Sequence, residues 1–253
     1  MPGNLGRMSG RERNRMPIID AYTLIGAWPQ AEVDLSVEAL AAGMQARSVG
    51  HSLVTHTAAI FYNQTVGNDQ CIELCSRHAP LHPVAVLNPL DYPQCLREAE
   101  KRLGQGVRAF RLCPREHGYP FSGRVGPLRE LLRSLEGVKV LFVDLADLPA
   151  PVLTSDIDEL LPAPTVATVT AAGLGTVLHC ANGTPNLWVE TSRLEAGGAI
   201  EAAVEHLGAP RVVFGSGAPL RSLGSAVMSL QFAELDEAIR TAIFETSLAK
   251  AMA

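Results

Sequence analysis

The chain has 253 residues, 47% hydrophobic and 19% charged, with 26 acidic against 21 basic side chains and a formal charge of −5. That composition supports a large buried core, excludes global disorder and argues against a general nucleic-acid-binding surface. Five scattered cysteines (Cys71, Cys75, Cys95, Cys113, Cys180) form no Cys-x-x-Cys pair, and no apolar run nears the ~20 residues of a spanning helix, so a disulfide framework, a zinc ribbon and a membrane span are all disfavoured and a cytoplasmic setting fits.

Residues 1–16 carry Arg7, Arg11, Arg13 and Arg15 with no apolar stretch, and read as a flexible basic leader rather than a secretory signal. From Pro17 onward, β-rich runs alternate with amphipathic ones. Strands are expected at 18–24, 52–56, 83–87, 107–113, 138–144, 165–170, 187–191 and 211–215. Helices are expected at 36–47, 69–78, 92–103, 128–135, from Ser155, at 199–207, 226–232 and 236–251, and His179 is placed on a short helix after the sixth strand. In the 92–103 helix, Cys95, Leu96, Ala99 and Leu103 share one face, while Arg97, Glu98, Lys101 and Arg102 are expected mostly outward. Eight strands, each with a helical stretch after it, argue for a single (β/α)8 TIM barrel over residues 17–253. A doubly wound open sheet is the alternative, but neither Gly-x-Gly-x-x-Gly after the first strand nor a P-loop is present.

Barrel sites lie at the C-terminal ends of the strands. The polar residues falling there are Asp20, Tyr22, His56, Arg111, Asp144, Glu190, Ser192 and Ser216. Arg111 shares a face with Val107 and Ala109, so an inward strand would hold its guanidinium at the mouth, where it could grip a carboxylate bidentately or form a salt bridge with Glu190 or Asp144. His56 and Asp144 are the candidate proton-transfer groups; Arg111, Tyr22, Glu190 and Ser216 are the candidate substrate contacts. His56 could equally cap or pack, Cys113 reads as packing, and His117 reads as surface or as part of a loop that closes over a ligand.

Two segments carry a resemblance. Ile18-Ile-Asp-Ala-Tyr-Thr-Leu-Ile-Gly26 resembles the opening strand of the amidohydrolase-related metal-dependent hydrolases, which usually reads Ile-Asp-x-His-x-His-x-Gly. Pro185-Asn-Leu-Trp-Val-Glu-Thr-Ser192, followed by Leu207-Gly-Ala-Pro-Arg-Val-Val-Phe-Gly-Ser-Gly-Ala-Pro-Leu220, is similar to that family's closing strands, and Gly106 to Leu112 to its fourth. The resemblance implies a barrel that hydrolyses or decarboxylates a small cyclic or carboxylated molecule. It also implies that Tyr22 and Leu24 stand where the family places two metal-binding histidines, and Gly217 where it places an aspartate. The fifth and sixth strands end at Asp144 and Thr170 without the family's histidines. No metal and no other cofactor is therefore expected. Two rival readings follow, a non-catalytic barrel that binds a ligand or partner, and a metal-independent lyase or isomerase using Arg111 with His56 or Asp144. A small carboxylate ligand and a homodimer are expected; nucleic acid and membrane partners are not.

Overall fold

The structure is a computed structural model that describes residues 17–146, 160–161, 164–181 and 183–252. The leader over 1–16 and the helix expected from Ser155 lie outside the described residues. Strand β1 (Ile18–Trp28) leads into β2 (Ala31–Leu35), helix α1 (Val37–Ala46) and β3 (Val49–His56). Helices α2 (Thr57–Phe61) and α3 (Gln64–Ser76) precede β4 (Leu81–Leu87), α4 (Gln94–Gly104) and β5 (Ala109–Leu112). Then come α5 (Pro114–His117), α6 (Gly126–Ser134), β6 (Val140–Asp144), β7 (Thr165–Thr168), α7 (Ala171–Ala181) and β8 (Leu187–Glu190). The chain continues through α8 (Ala199–Leu207), β9 (Val212–Val213), α9 (Leu223–Gln231), α10 (Glu237–Thr241), a π-type turn (Ala242–Thr246) and α11 (Ser247–Met252).

The sheet runs β2-β1-β3-β4-β5-β6-β7-β8-β9, parallel throughout except for the β1–β2 hairpin. It closes on itself. Ala21 N–H donates to the Phe214 carbonyl at 2.8 Å, Leu24 N–H to Ala218 and Gly217 N–H to Tyr22, so the segment after β9 completes the ladder beside β1. The result is a (β/α)8 barrel of β1 and β3 to β9. The hairpin was not expected; β1 runs on past Gly26 because β2 offers its outer half a partner.

Inside the barrel, Ala21, Leu53, Val84, Ala109, Val140, Phe142, Val166 and Val213 form one packed cluster, as small-barrel interiors require. A larger cluster between strands and helices takes the outward-facing side chains, including Val107, which therefore does not share Arg111's inward face. Burying both faces explains why β5, β6 and β7 read as near-continuous apolar runs. All five cysteines are free.

Helix α3 begins at Gln64, earlier than expected, because the Asn63 side chain accepts from Val66 N–H at 3.0 Å and caps it. In α4, Glu98 and Arg102 are buried rather than outward. Arg102 Nε donates to Glu98 Oε1 at 2.6 Å, Nη1 to Asp69 at 2.5 Å and to Gln105 at 2.9 Å, and Nη2 to the Thr65 carbonyl at 3.0 Å. Glu98 also accepts from Asn68 and Thr65, and Asn68 bonds both the N–H and the carbonyl of Val86 on β4. The charged face of α4 thus docks on α3 through paired groups and pins both helices to the sheet.

Candidate active site at the C-terminal mouth of the barrel

The mouth is set by an irregularity in β1. Its register on β3 shifts between Asp20 and Thr23, a bulge of the kind that re-aims side chains near sites. The bulge leaves Tyr22 N–H without a β3 partner, and Asp20 Oδ1 accepts it at 3.0 Å. Past the bulge, Tyr22 and Leu24 face the mouth together with Val86 and Cys113.

Arg111 ends β5 on the inward face, almost wholly buried. Its guanidinium carbon lies 3.9 Å from the Tyr22 ring centre and 4.9 Å from that of Phe142, so the cation is sandwiched between two π faces. Nε donates to Thr55 Oγ1 at 3.2 Å. Both terminal nitrogens, Nη1 and Nη2, are buried without a hydrogen-bond partner. The salt bridge to Glu190 or Asp144 weighed above does not form among the described residues; these carboxyls face Arg111 only at longer range. A cation–π contact contributes ~0.5–2 kcal/mol, whereas an unpaired buried ion costs several kcal/mol, so the guanidinium is under-compensated as it stands.

The carboxyls divide into two kinds. Asp20 accepts from Tyr22 N–H, from Ser216 N–H at 3.0 Å and from the Ser216 hydroxyl, which in turn accepts from Ala218 N–H at 3.0 Å. Glu190 accepts from Ser192 N–H at 2.6 Å and from its hydroxyl at 2.7 Å. It sits against Gly215, where a Cβ would come within 2.1 Å of Oε2, so only glycine fits beside it. Asp20 and Ser216 therefore latch β1 to the segment after β9, whereas Glu190 and Ser192 close a local turn at the end of β8. Asp144 is different. Among the described residues, Ala146 N–H, at 3.0 Å, is the donor that reaches its Oδ1, and the side chain lines an open cavity. Burial, reinforced by nearby Glu116 and opposed by Arg111, pushes its carboxyl up to about 7, poised for proton transfer near neutrality. Burial likewise pushes Asp20 to about 7, and raises Glu190 and the Tyr22 phenol.

That cavity, about 470 Å³, is lined by Tyr22, Leu24, Trp28, Asp144, Thr168 and Gly217 together with Glu116, whose Oε2 is buried without a hydrogen-bond partner among the described residues, and the arginines 115, 193 and 221. Of the predicted residues it gathers Tyr22 and Asp144, with Arg111 directly beneath the Tyr22 ring. Glu190 and Ser216 lie behind its wall. His56 is apart: its Nδ1 accepts from Ala58 N–H at 3.1 Å as the N-cap of α2, and burial lowers its pKa. His117 is half-buried rather than on the surface. Its Nε2–H donates to the Ile60 carbonyl at 3.1 Å, tying the loop after β5 to α2. Sequence reasoning missed Trp28, Thr168 and Glu116. Thr168 was within reach, since the period of two places it with Val166 on the inward face.

The donor set does not suit a divalent cation. Leu24 and Gly217 offer no side-chain donor, the Tyr22 phenol is held protonated, and Arg111 fixes a positive charge against it. Among the described residues, no group of three or more His, Cys, Asp or Glu side chains converges to hold a metal.

Solved structures share this architecture. A 5-carboxyvanillate decarboxylase from Sphingomonas paucimobilis superposes with a TM-score of 0.72 at 13% identity, over 94% of this chain and 99% of that one. A dihydroxybenzoic acid decarboxylase from Polaromonas, solved with manganese and 2-nitroresorcinol, gives 0.75 at 12% identity, over 94% and 97%. A protein assigned as a 2-pyrone-4,6-dicarboxylic acid hydrolase from Pseudomonas putida gives 0.69 at 20% identity, over 94% and 98%. At these identities the likeness establishes the fold. A search of curated proteins finds no match. The amidohydrolase family model, by contrast, matches residues 10–247, nearly the whole barrel with the bulged first strand and the Ser216–Gly217 segment that closes onto it, and the chain belongs to the amidohydrolase family.

Proposed function

We propose that the mouth binds a small carboxylate on Arg111 and performs hydrolysis or decarboxylation by proton transfer at Asp144, with the family's metal site degenerate. The observation that carries this reading is the pair of buried, unpartnered guanidinium nitrogens. A carboxylate matches that fork with two parallel charge-assisted hydrogen bonds and removes the cost of an unpaired ion. Tyr22 covers the guanidinium, so its ring must swing aside as the anion enters. The cavity volume and the Trp28 and Tyr22 rings suit a flat cyclic ligand. The ligands and substrates named for the similar structures, a dihydroxybenzoate, a carboxyvanillate and a pyrone dicarboxylate, support that class. Asp144 Oδ2, which accepts no hydrogen bond from the described residues, is the oxygen that would hold or release a proton beside the bound ring.

The test titrates benzoate, 2,6-dihydroxybenzoate and 2-pyrone-4,6-dicarboxylate, with benzamide as the neutral control, into the chain in the presence of a chelator. Carboxylates should bind and raise the melting temperature, benzamide should not, and Arg111→Met should abolish the effect while the chain stays folded. Equal binding of benzamide, or carboxylate binding that survives Arg111→Met, removes the anion site. Turnover that appears only with added manganese or zinc removes the metal-free reading. A second reading, a barrel that binds its ligand without turning it over, is favoured by the engagement of Glu190 and Ser216 in bonds within the protein, which leaves Asp144 and Glu116 as the carboxyls that line the cavity. It predicts carboxylate binding unaffected by Asp144→Asn and no product from any ligand in the panel.

A further inference from the structure

At the opposite end of the barrel, His51 on β3 and His82 on β4 stand side by side. His51 precedes Leu53 by two residues and His82 precedes Val84 by two, and both Leu53 and Val84 belong to the interior cluster. The strand period therefore places both imidazoles on the inward face at the N-terminal opening. The ladder itself sets Leu53 beside His82. His51 Nδ1 and His82 Nε2 lie 3.1 Å apart, with ring centres 5.2 Å apart and planes inclined by 40°. One ring's N–H must point at the other ring's lone pair. Neither side chain has a role in the mouth, on the far side of the interior cluster.

We propose that these two imidazoles form a bidentate site for a late first-row divalent cation, Cu(II) or Zn(II), joining β3 to β4 across the N-terminal opening, with water completing the coordination. Imidazole nitrogens bind zinc at ~2.0–2.1 Å, so two of them on one ion are about 2.9 Å apart at a right angle and about 3.4 Å apart at a tetrahedral angle. The observed 3.1 Å falls between these limits. The spacing suits an ion, but it is also that of the hydrogen bond between the rings, so each ring must tilt off the line joining the two nitrogens to aim its lone pair at one cation; neighbouring strands of one sheet hold the separation. An all-nitrogen pair favours copper, nickel and zinc over magnesium and calcium, with Cu(II) tightest. Burial and the neighbouring His51 hold His82 below the ordinary histidine range, which keeps its lone pair available at neutral pH. The proton between the two rings must move to the other nitrogen of its own ring as the cation enters, because each ligating nitrogen has to present a lone pair.

The experiment titrates CuSO4 and ZnCl2 into the full, tag-free chain by calorimetry, with electron paramagnetic resonance on the copper form. The expected result is one tight Cu(II) per chain with nitrogen hyperfine structure from two imidazoles, and weaker Zn(II) binding at the same place. His51→Asn and His82→Asn should each weaken Cu(II) binding by more than the ~10–100-fold that loss of an outer-shell partner costs. His206→Asn should change nothing, because His206 is exposed and bonded to the carbonyl of Ala202 within its own helix. Equal affinity and stoichiometry in the His51→Asn/His82→Asn double variant overturns the proposal. So does a wild-type copper spectrum with one imidazole or none, which decides the matter even if the variants fail to fold. Arg111→Met should leave this binding intact, so either outcome is independent of carboxylate binding at the mouth.

Discussion

Two arginines are buried in this barrel, and they are treated in opposite ways. Arg102, between α3 and α4, has its nitrogens engaged by Glu98, Asp69, Gln105 and the Thr65 carbonyl. Arg111, at the mouth, has one hydrogen bond, two aromatic faces and two bare nitrogens. Both lie within a few strands of the same core, so burial alone does not dictate pairing. The first cluster is complete in the protein itself and has the form of a structural lock. The second lacks an anion, and the same chain that satisfied Arg102 leaves Arg111 waiting beside an open cavity. A buried polar group that the fold satisfies is architecture; one that it leaves unsatisfied next to a cavity points to a ligand.

The sharpest way to break that contrast is to remove each arginine in turn. Arg102→Met strands the buried Glu98 carboxylate with only the Asn68 and Thr65 side chains as donors among the described residues, the situation that costs ~3–5 kcal/mol when one member of a buried ion pair is lost. For a chain of this size the melting temperature should fall on the order of 10 °C. Arg111→Met removes an under-compensated charge and leaves an apolar side chain between Tyr22 and Phe142. Its melting temperature should hold or rise, while the carboxylate-induced increase disappears. Thermal melts of both variants, with and without benzoate, decide the point. A large loss of stability in Arg111→Met would make that residue a structural lock as well.

Next in size is the effect of pH. Asp144 and Asp20 both have carboxyls raised by burial to about 7, against 3.8 when free. The native state therefore holds protons that the unfolded chain releases. Their contribution to stability is fully present below the unfolded value and is lost as pH rises through about 7. The contribution of these two carboxyls to the melting temperature should decline between about pH 4 and 7, and Asp144→Asn should remove part of that decline, since the amide cannot ionise. His56, His82 and His117, which burial holds below the ordinary histidine range, push stability the other way, so the readout is the difference between proteins: an Asp144→Asn profile that runs parallel to the wild type is incompatible with a buried, protonated Asp144.

Much of this was legible in the sequence, and the reasons differ by region. The barrel was readable because buried parallel strands are apolar on both faces and helices amphipathic, so alternation alone exposes the order. The Ile18–Gly26 and Leu207–Leu220 segments were readable as the two edges that meet, and the structure joins them through Gly217 and Tyr22. The period of two rightly grouped Arg111 with Ala109, which packs inside the barrel, but wrongly added Val107, which precedes β5 and packs outside it. Glu98 and Arg102 were misplaced outward because hydropathy cannot see that two charges on one helix have a partner on the next. The roles of Ser216 and Glu190 were equally hidden. Position at a strand end marks a residue as near the mouth, but whether its hydroxyl or carboxyl faces the cavity or a neighbouring strand depends on the bulge in β1 and the bare backbone of Gly215.

The smallest expected effect concerns Gly217, where the family resemblance places an aspartate. Gly217 has φ of +69°, a region that side chains other than glycine enter at ~1–2 kcal/mol, with aspartate among the better tolerated. A Cβ there would lie 3.0 Å from Arg221 Cδ, a flexible neighbour that can yield. Gly217→Asp should therefore fold, with a melting temperature lower by about 2–4 °C. It should not recover a metal centre, because a hydrolytic zinc needs about three protein ligands and an open position, and Leu24 still offers none. The triple variant Tyr22→His, Leu24→His, Gly217→Asp should bind zinc more tightly than any of its single changes, yet it must do so beside the Arg111 guanidinium, which now lies 3.9 Å from the ring at position 22. Adding Arg111→Met to the triple should then tighten zinc binding further, because the fixed cation is gone. Calorimetric zinc titrations at the mouth, carried out in a His51→Asn/His82→Asn background and paired with lactone and ester hydrolysis assays, order these proteins. If Gly217→Asp alone binds zinc tightly and hydrolyses, the mouth already holds the missing ligands, and Arg111 is not what occupies the cation's place.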